Sequence, residues 1–175
     1  KPGSERAEVD SDPIALQYLR PFVGSDEMIS DLDRWCFWLE DAPLAEVRKS
    51  SLLKRRLAHV TETRLATPTE AVQRQAATPW LFNQRRQPTD DYLALPEVSS
   101  VRREYIPMRM YSAEVIASNK LMTISAPPKW LVGVLLSACF TLWVKTFAGR
   151  LKSDPSISPD LTYNAFPFPA LSDSK

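Results

Sequence analysis

The sequence predicts an α+β domain in which short, mainly antiparallel strands pack with a long amphipathic helix and a buried apolar helix. Three observations predict it. Leu44, Val47, Leu53, Leu57 and Val60 recur at three- and four-residue steps, the period of a helix with one buried face. Residues 91–125 break into short β-branched and aromatic stretches separated by polar residues, as antiparallel strands do. The run WLVGVLLSACFTLWV (130–144) contains no charge, which places it in a core.

In chain order, residues 1–12 are charged and lack a period, reading as a linker or disordered end, ahead of a domain over 13–171 and a tail at 172–175. DRWCFWLED (33–41) is rich in aromatics and reads as a buried strand. It leads into the helix, which runs from Pro43 to about Ala77, with Pro43 near its first turn and Pro68 breaking or ending it. TPWLFNQRRQPT (78–89) is a loop. DYLALPEVSS, EYIPMRMYS and EVIASNKLMTIS supply the strands, with Pro107 placing its segment at an edge or bulge. The 15 residues of 130–144 fall short of a bilayer's roughly 20 and meet Lys145 at once, so they read as a buried helix and no membrane is expected. LTYNAFPFPAL then returns proline-separated aromatics to the core. Trp35, Trp38, Trp130 and Trp143 are read as core residues.

Composition narrows the function. The chain has 175 residues, 44% hydrophobic and 25% charged, enough for one ordinary domain with its own core. Its net charge is only +1, so nucleic-acid binding must rest on a local patch. Four glycines against 15 prolines leave little for a glycine-built phosphate cradle. Cys36 and Cys139 sit in apolar segments without a second ligand at metal spacing and read as buried free thiols. The polar N-terminus has no signal-like apolar stretch, which makes a reducing, cytoplasmic location the expectation. His59, beside Arg55, Arg56 and Arg64, reads as a solvated helix residue. Asp31, Asp33, Glu40 and Asp41 flank an apolar strand as solubilising charges. Neither GxGxxG nor GxxxxGK[ST] occurs, and the Asn/Asp-Pro-Pro-aromatic motif that holds a flipped base is missing. The expectation is a binding module with no catalytic residue and no metal site.

Basic residues gather in four places: Arg48 to Arg64, Arg85 with Arg86, Arg102 with Arg103, and Arg150 with Lys152. Beside them stand Asn83, Gln84, Gln87, Ser99, Ser100, Ser118 and Asn119. Arginine suits phosphate and guanine, and asparagine or glutamine suits adenine, so this mixture fits a reader of duplex DNA. On the helix, a solvated face paired with acids is the competing reading for Arg48 to Arg64. Two further alternatives remain: a protein-interaction module docking through the apolar 130–144 helix, and an active methyltransferase fragment.

Six blocks carry a family resemblance: YLRPFVGSDEMI, DRWCFWLED, TPWLFNQRRQP, VSSVRREYIPM, VIASNKL, and GRLKSDPSIS with TYNAFPFP. In this order, from about Tyr18 to Pro169, the chain resembles the target-recognition domain of the MmeI-like Type IIL restriction-modification enzymes. The resemblance implies sequence-specific binding of double-stranded DNA in a bacterial cytoplasm. It implies adenine methylation and DNA cleavage by methyltransferase and nuclease domains in cis or in trans. S-adenosylmethionine and a divalent metal ion are expected only in those catalytic domains. It assigns Arg86, Ser99, Ser100, Arg102 and Arg103 as phosphate or framework contacts. Within that scaffold Arg109, Tyr111, Asn119 and Lys120 are candidate base readers, Ser118 is a further candidate DNA contact, and Arg150 and Lys152 are candidate backbone contacts.

Overall fold

The computed structural model describes residues 2–169, with side chains from Arg6 onward. The helices and strands begin with α1 (Pro2–Asp10), α2 (Pro13–Gln17), β1 (Leu19–Val23), α3 (Ser25–Ser30) and β2 (Trp35–Phe37). Next come α4 (Leu44–Val47), α5 (Ser51–Ala66), α6 (Glu70–Arg74), β3 (Tyr92–Pro96), β4 (Arg109–Tyr111) and β5 (Ile116–Ala117). The last are β6 (Leu121–Ser125), α7 (Lys129–Leu135), α8 (Ala138–Phe147), β7 (Gly149–Leu151) and β8 (Asp154–Ser156). The α+β reading holds. The elements form two compact units, one from the chain up to Pro21 with Trp35–Arg86, the other from Phe22–Arg34 with the chain from Gln87 onward.

In the first unit the helices are tied at their ends. Asp12 Oδ1 accepts from the Ile14 and Ala15 amides at 3.1 and 3.0 Å, capping α2. Its other oxygen accepts from Ser50 Oγ at 2.6 Å, while Ser50 Oγ accepts from the Leu53 amide and caps α5. The hydrogen bond from Ser50 is the main reason the Asp12 carboxyl is held below its usual range. This joint corrects the linker reading of residues 1–12: α1 buries Val9 in a cluster with Ala15, Leu39, Val47, Leu52 and Leu53. Residues 172–175 lie outside the described residues. The helix read from Pro43 to Ala77 is three helices and a 3₁₀ turn at Gln75–Ala77. The capping chemistry of Ser50 restarts it, and Thr67–Pro68 stops it. The 33–41 strand shrinks to Trp35–Phe37, pairing antiparallel with Leu19–Pro21. Trp35 is exposed beneath the Arg6 guanidinium, 5.0 Å from the ring centre, which corrects its core assignment. Cys36 is half-buried.

In the second unit β3 is the centre of an antiparallel sheet ordered β4-β3-β6, and all five of its residues are buried. Strand alternation sends Leu93 and Leu95 to one cluster with Leu131, Leu135, Phe140, Val144 and Phe166. Tyr92 and Ala94 join a second cluster with Val23, Met28 and Leu121. Pro107 precedes the edge strand β4 and lies outside any ladder.

The 130–144 helix is two helices bent by 55°. Ser137 interrupts it by donating to the Val134 carbonyl and capping α8 through the Phe140 amide. The run is buried on one face only: Trp130, Leu136, Leu142 and Phe147 are exposed, as is Cys139, so the fully buried helix, the core Trp130 and the buried Cys139 are corrected. The absence of charge misled because an uncharged helix can still turn one face outward. Among the described residues no single helix is long and apolar enough to cross a membrane. The C-terminal aromatics return as read, with Phe166 packed edge-on against Phe140 and Trp143, and Trp143 Nε1 donating to the Thr162 carbonyl at 2.9 Å.

Candidate nucleic-acid interface

Within the second unit the backbone gathers most of the candidate contacts at the end of β3. Past Pro96 the chain runs on as 97–103, flanked on one side by the 118–120 turn, where the Glu97 amide donates to the Lys120 carbonyl at 2.9 Å. On the other side stands the β7–β8 hairpin: the Ile157 amide donates to the Glu97 carbonyl, the Ser99 amide to the Pro155 carbonyl, and the Val101 amide to Asp154 Oδ1 at 2.9 Å. Asn119, Lys120, Arg150 and Lys152 thus stand on the elements that flank the segment carrying Arg102 and Arg103.

Each of these residues is placed differently. Asn119 is exposed and makes no hydrogen bond through its side chain among the described residues. Lys120 Nζ lies 3.4 Å from Glu97 Oε2, both largely exposed. Ser118 is spent on the turn, its Oγ accepting from the Lys120 amide at 3.1 Å. Lys152 occupies the first position of the two-residue turn joining Leu151 to Asp154, with φ 57°, a conformation that favours glycine. That turn carries its ammonium at the hairpin tip. Arg150 is exposed, but its guanidinium donates to the Ser153 carbonyl at 3.2 Å and to the Lys145 carbonyl. Arg102 is exposed, and its amide donates to Ser100 Oγ. Ser99 is buried at 1% exposure, which makes it framework, and its Oγ together with Arg103 Nε is buried without a hydrogen-bond partner.

A second group forms along α3. Ser25 Oγ donates to the Lys120 carbonyl at 3.1 Å, so the helix begins at the 118–120 turn. Gly24 permits this start, since a Cβ there would lie 2.6 Å from Glu27 Oε2 and 3.2 Å from Ser118 Oγ. Burial pushes the Glu27 carboxyl up, but hydrogen bonds from backbone amides, including Gly24, and from Arg34 outweigh it and hold the group below its usual range. The helix ends at Asp31, in the left-handed conformation, where Oδ1 accepts from an Arg109 terminal nitrogen at 2.7 Å. Arg109 lies over the Tyr111 ring at 5.7 Å, and Tyr111 packs on Tyr92. Burial pushes the Tyr111 hydroxyl up, and that of Tyr92 up to about 12.

Other polar residues bond within the chain. Gln87 donates to the Ala113 and Val115 carbonyls and accepts from the Ala117 amide at 2.9 Å. In the first unit Asn83 accepts from Gln75, and Gln84 accepts from Arg86, which is otherwise exposed. Arg64 donates to the carbonyls of Gln75, Thr78 and Leu81. Sequence reasoning missed Asp31, Glu97 and Asp154 as organisers of the site. Only Asp154 carried a signal, its place in the GRLKSDPSIS block. Among the described residues no group of three or more His, Cys, Asp or Glu is placed to hold a metal ion.

The family model described as MmeI, target recognition domain, matches residues 2–170. The chain belongs to that family. A curated relative, DNA methyltransferase A of Bacillus subtilis (strain 168), is 36% identical over 160 residues, covering 91% of this chain and 18% of the relative. A solved Type IIL restriction-modification enzyme, MmeI in complex with DNA, superposes with a TM-score of 0.92 at 34% identity, covering 98% of this chain and 23% of the enzyme. The chain therefore spans less than a quarter of either relative.

Proposed function

We propose that this member of the MmeI target recognition domain family reads double-stranded DNA in a sequence-specific manner and directs an adenine-specific methyltransferase and restriction endonuclease to its site. The observation that carries the reading is the match, over 98% of the chain, to an enzyme whose structure contains DNA. The gathering of exposed cationic and amide side chains on the turns around 97–103 supports it, because phosphate and base contacts both favour such loop positions. Arg102 and Lys152 serve the phosphates in this reading, and Lys120 stands beside Asn119 as a base reader. Asn119, on a tight turn with an uncommitted amide, suits an adenine edge. Arg86 is a further backbone contact in the first unit, whereas Ser99 and Ser100 shape the segment from within.

Chemistry is assigned to methyltransferase and nuclease domains, in cis or in trans, in the bacterial cytoplasm. S-adenosylmethionine and a divalent metal would be bound there, not by this domain. The exposed Trp130, Leu136, Leu142 and Phe147 on α7 and α8 favour a second role beside the first, contact with those catalytic domains.

Selection of randomised duplex DNA on the purified chain at low salt, followed by sequencing, tests the reading. A recovered motif is the expected result. Retention of DNA without any motif reduces the domain to an electrostatic binder, and no retention removes the reading.

A further inference from the structure

The Arg109–Asp31 pair, at 2.7 Å, is the tighter of two ion pairs that candidate cations make around the site, Lys120 lying 3.4 Å from Glu97. A phosphate-gripping arginine works through net positive charge, yet Arg109 carries its own carboxylate at 2.7 Å. The pair is close to neutral, so its value near DNA lies in direction rather than charge. Exposed ion pairs contribute little to stability, and this one is open, with 52% of the Arg109 side chain and 84% of the Asp31 side chain exposed. Two contacts nevertheless define the guanidinium: Asp31 takes one terminal nitrogen, and the Tyr111 ring lies 5.7 Å beneath. Arg109 stands on the edge strand β4. The carboxylate is delivered by α3, whose other end is bonded to the Lys120 carbonyl. The sequence between Gly24 and Asp31 thus links the 118–120 turn to the Arg109 fork.

Resting on the DNA-reading proposal above, we infer that Arg109 reads a guanine and that Asp31 is its positioning residue, fixing the planar fork so that it meets the two acceptors on the guanine major-groove edge. Guanine O6 and N7 form the acceptor pair that a bidentate arginine matches, and a fork fixed in advance loses less freedom on binding.

The test is selection of randomised duplex DNA by the wild-type chain, Arg109→Gln and Asp31→Asn, with sequencing of the bound pools. The expected result is a motif in which guanine preference at one position falls by about tenfold in both variants while the other positions keep theirs. A merely structural role would weaken all positions together. A wild-type motif that stays unchanged in the variants, or weakens evenly, overturns the inference and leaves DNA reading intact. A wild-type pool without a motif overturns the reading itself and the inference with it.

Discussion

The stretch from Gln75 to Tyr92 and the turns around 97–103 are both rich in polar side chains, but they use them in opposite ways. In the first, backbone claims Gln87 and Tyr92 from within the stretch and Arg64 from α5. Arg64 holds three carbonyls of the 75–81 loop, Gln87 spans 113–117 with three hydrogen bonds, and Tyr92 donates to the Val115 carbonyl at 2.6 Å. In the second, backbone amides and carbonyls bond mainly to one another, and Asn119, Lys120 and Lys152 are left on turns facing water. A loop with few regular bonds must use its side chains as scaffold, whereas segments tied by their own backbone can offer theirs to a ligand. Residue type does not distinguish these uses, but the bonding of the neighbouring backbone does.

The largest break in that comparison is Arg64→Ala. Three charged hydrogen bonds vanish, and the Leu81 carbonyl is left without a donor while those of Gln75 and Thr78 keep their backbone amides, so stability in urea titration falls by about 3 kcal/mol, while DNA retention per folded molecule stays unchanged. Unaltered stability with lost retention would reverse the comparison.

Tyr92 offers a test by pH. Burial raises its folded-state value to about 12, against about 10 in an unfolded chain. The neutral hydroxyl therefore stabilises the fold fully below pH 10, and that contribution drains away as pH rises from 10 toward 12. Urea titrations at pH 9 and 11.5 should differ by about 2 kcal/mol from this group, with the difference reduced in Tyr92→Phe. Tyr111 and Tyr163, also pushed up by burial, add to the slope in both proteins. Next in size is Gln87→Ala, which strips partners from the 113–117 backbone and costs about 1–2 kcal/mol by the same titration.

These inward residues mark where the sequence was silent. Gln87 and Arg64 have the composition of DNA contacts, and nothing in their spacing states that carbonyls far along the chain will claim them. The α+β class, the antiparallel 91–125 sheet and the aromatic C-terminal segment were legible because burial imposes a period. Breaks that depend on one cap, at Ser50 and Ser137, were not, since a serine inside an apolar pattern disturbs the period too little. Asp31 was illegible for another reason: a solubilising carboxylate and a positioning one differ only in what comes to meet them, here Arg109 from 78 residues away.

The smallest expected effect isolates the turn residues. Lys152 sits at the hairpin tip, exposed, in a left-handed conformation that Ala tolerates poorly but Gly readily, so Lys152→Gly removes the ammonium without straining the turn. Stability should move by less than about 0.5 kcal/mol. If Lys152 touches a phosphate, the dependence of log affinity on log salt should lose about one unit of slope, measured by fluorescence anisotropy on a selected duplex, with no change in the preferred sequence. A changed preference at one base would instead make the tip a reader. An unchanged slope would place the hairpin outside the interface and leave the Glu97–Lys120 side of the segment as the contact, because the turn residues are grouped by the backbone they flank and need not all reach the same ligand.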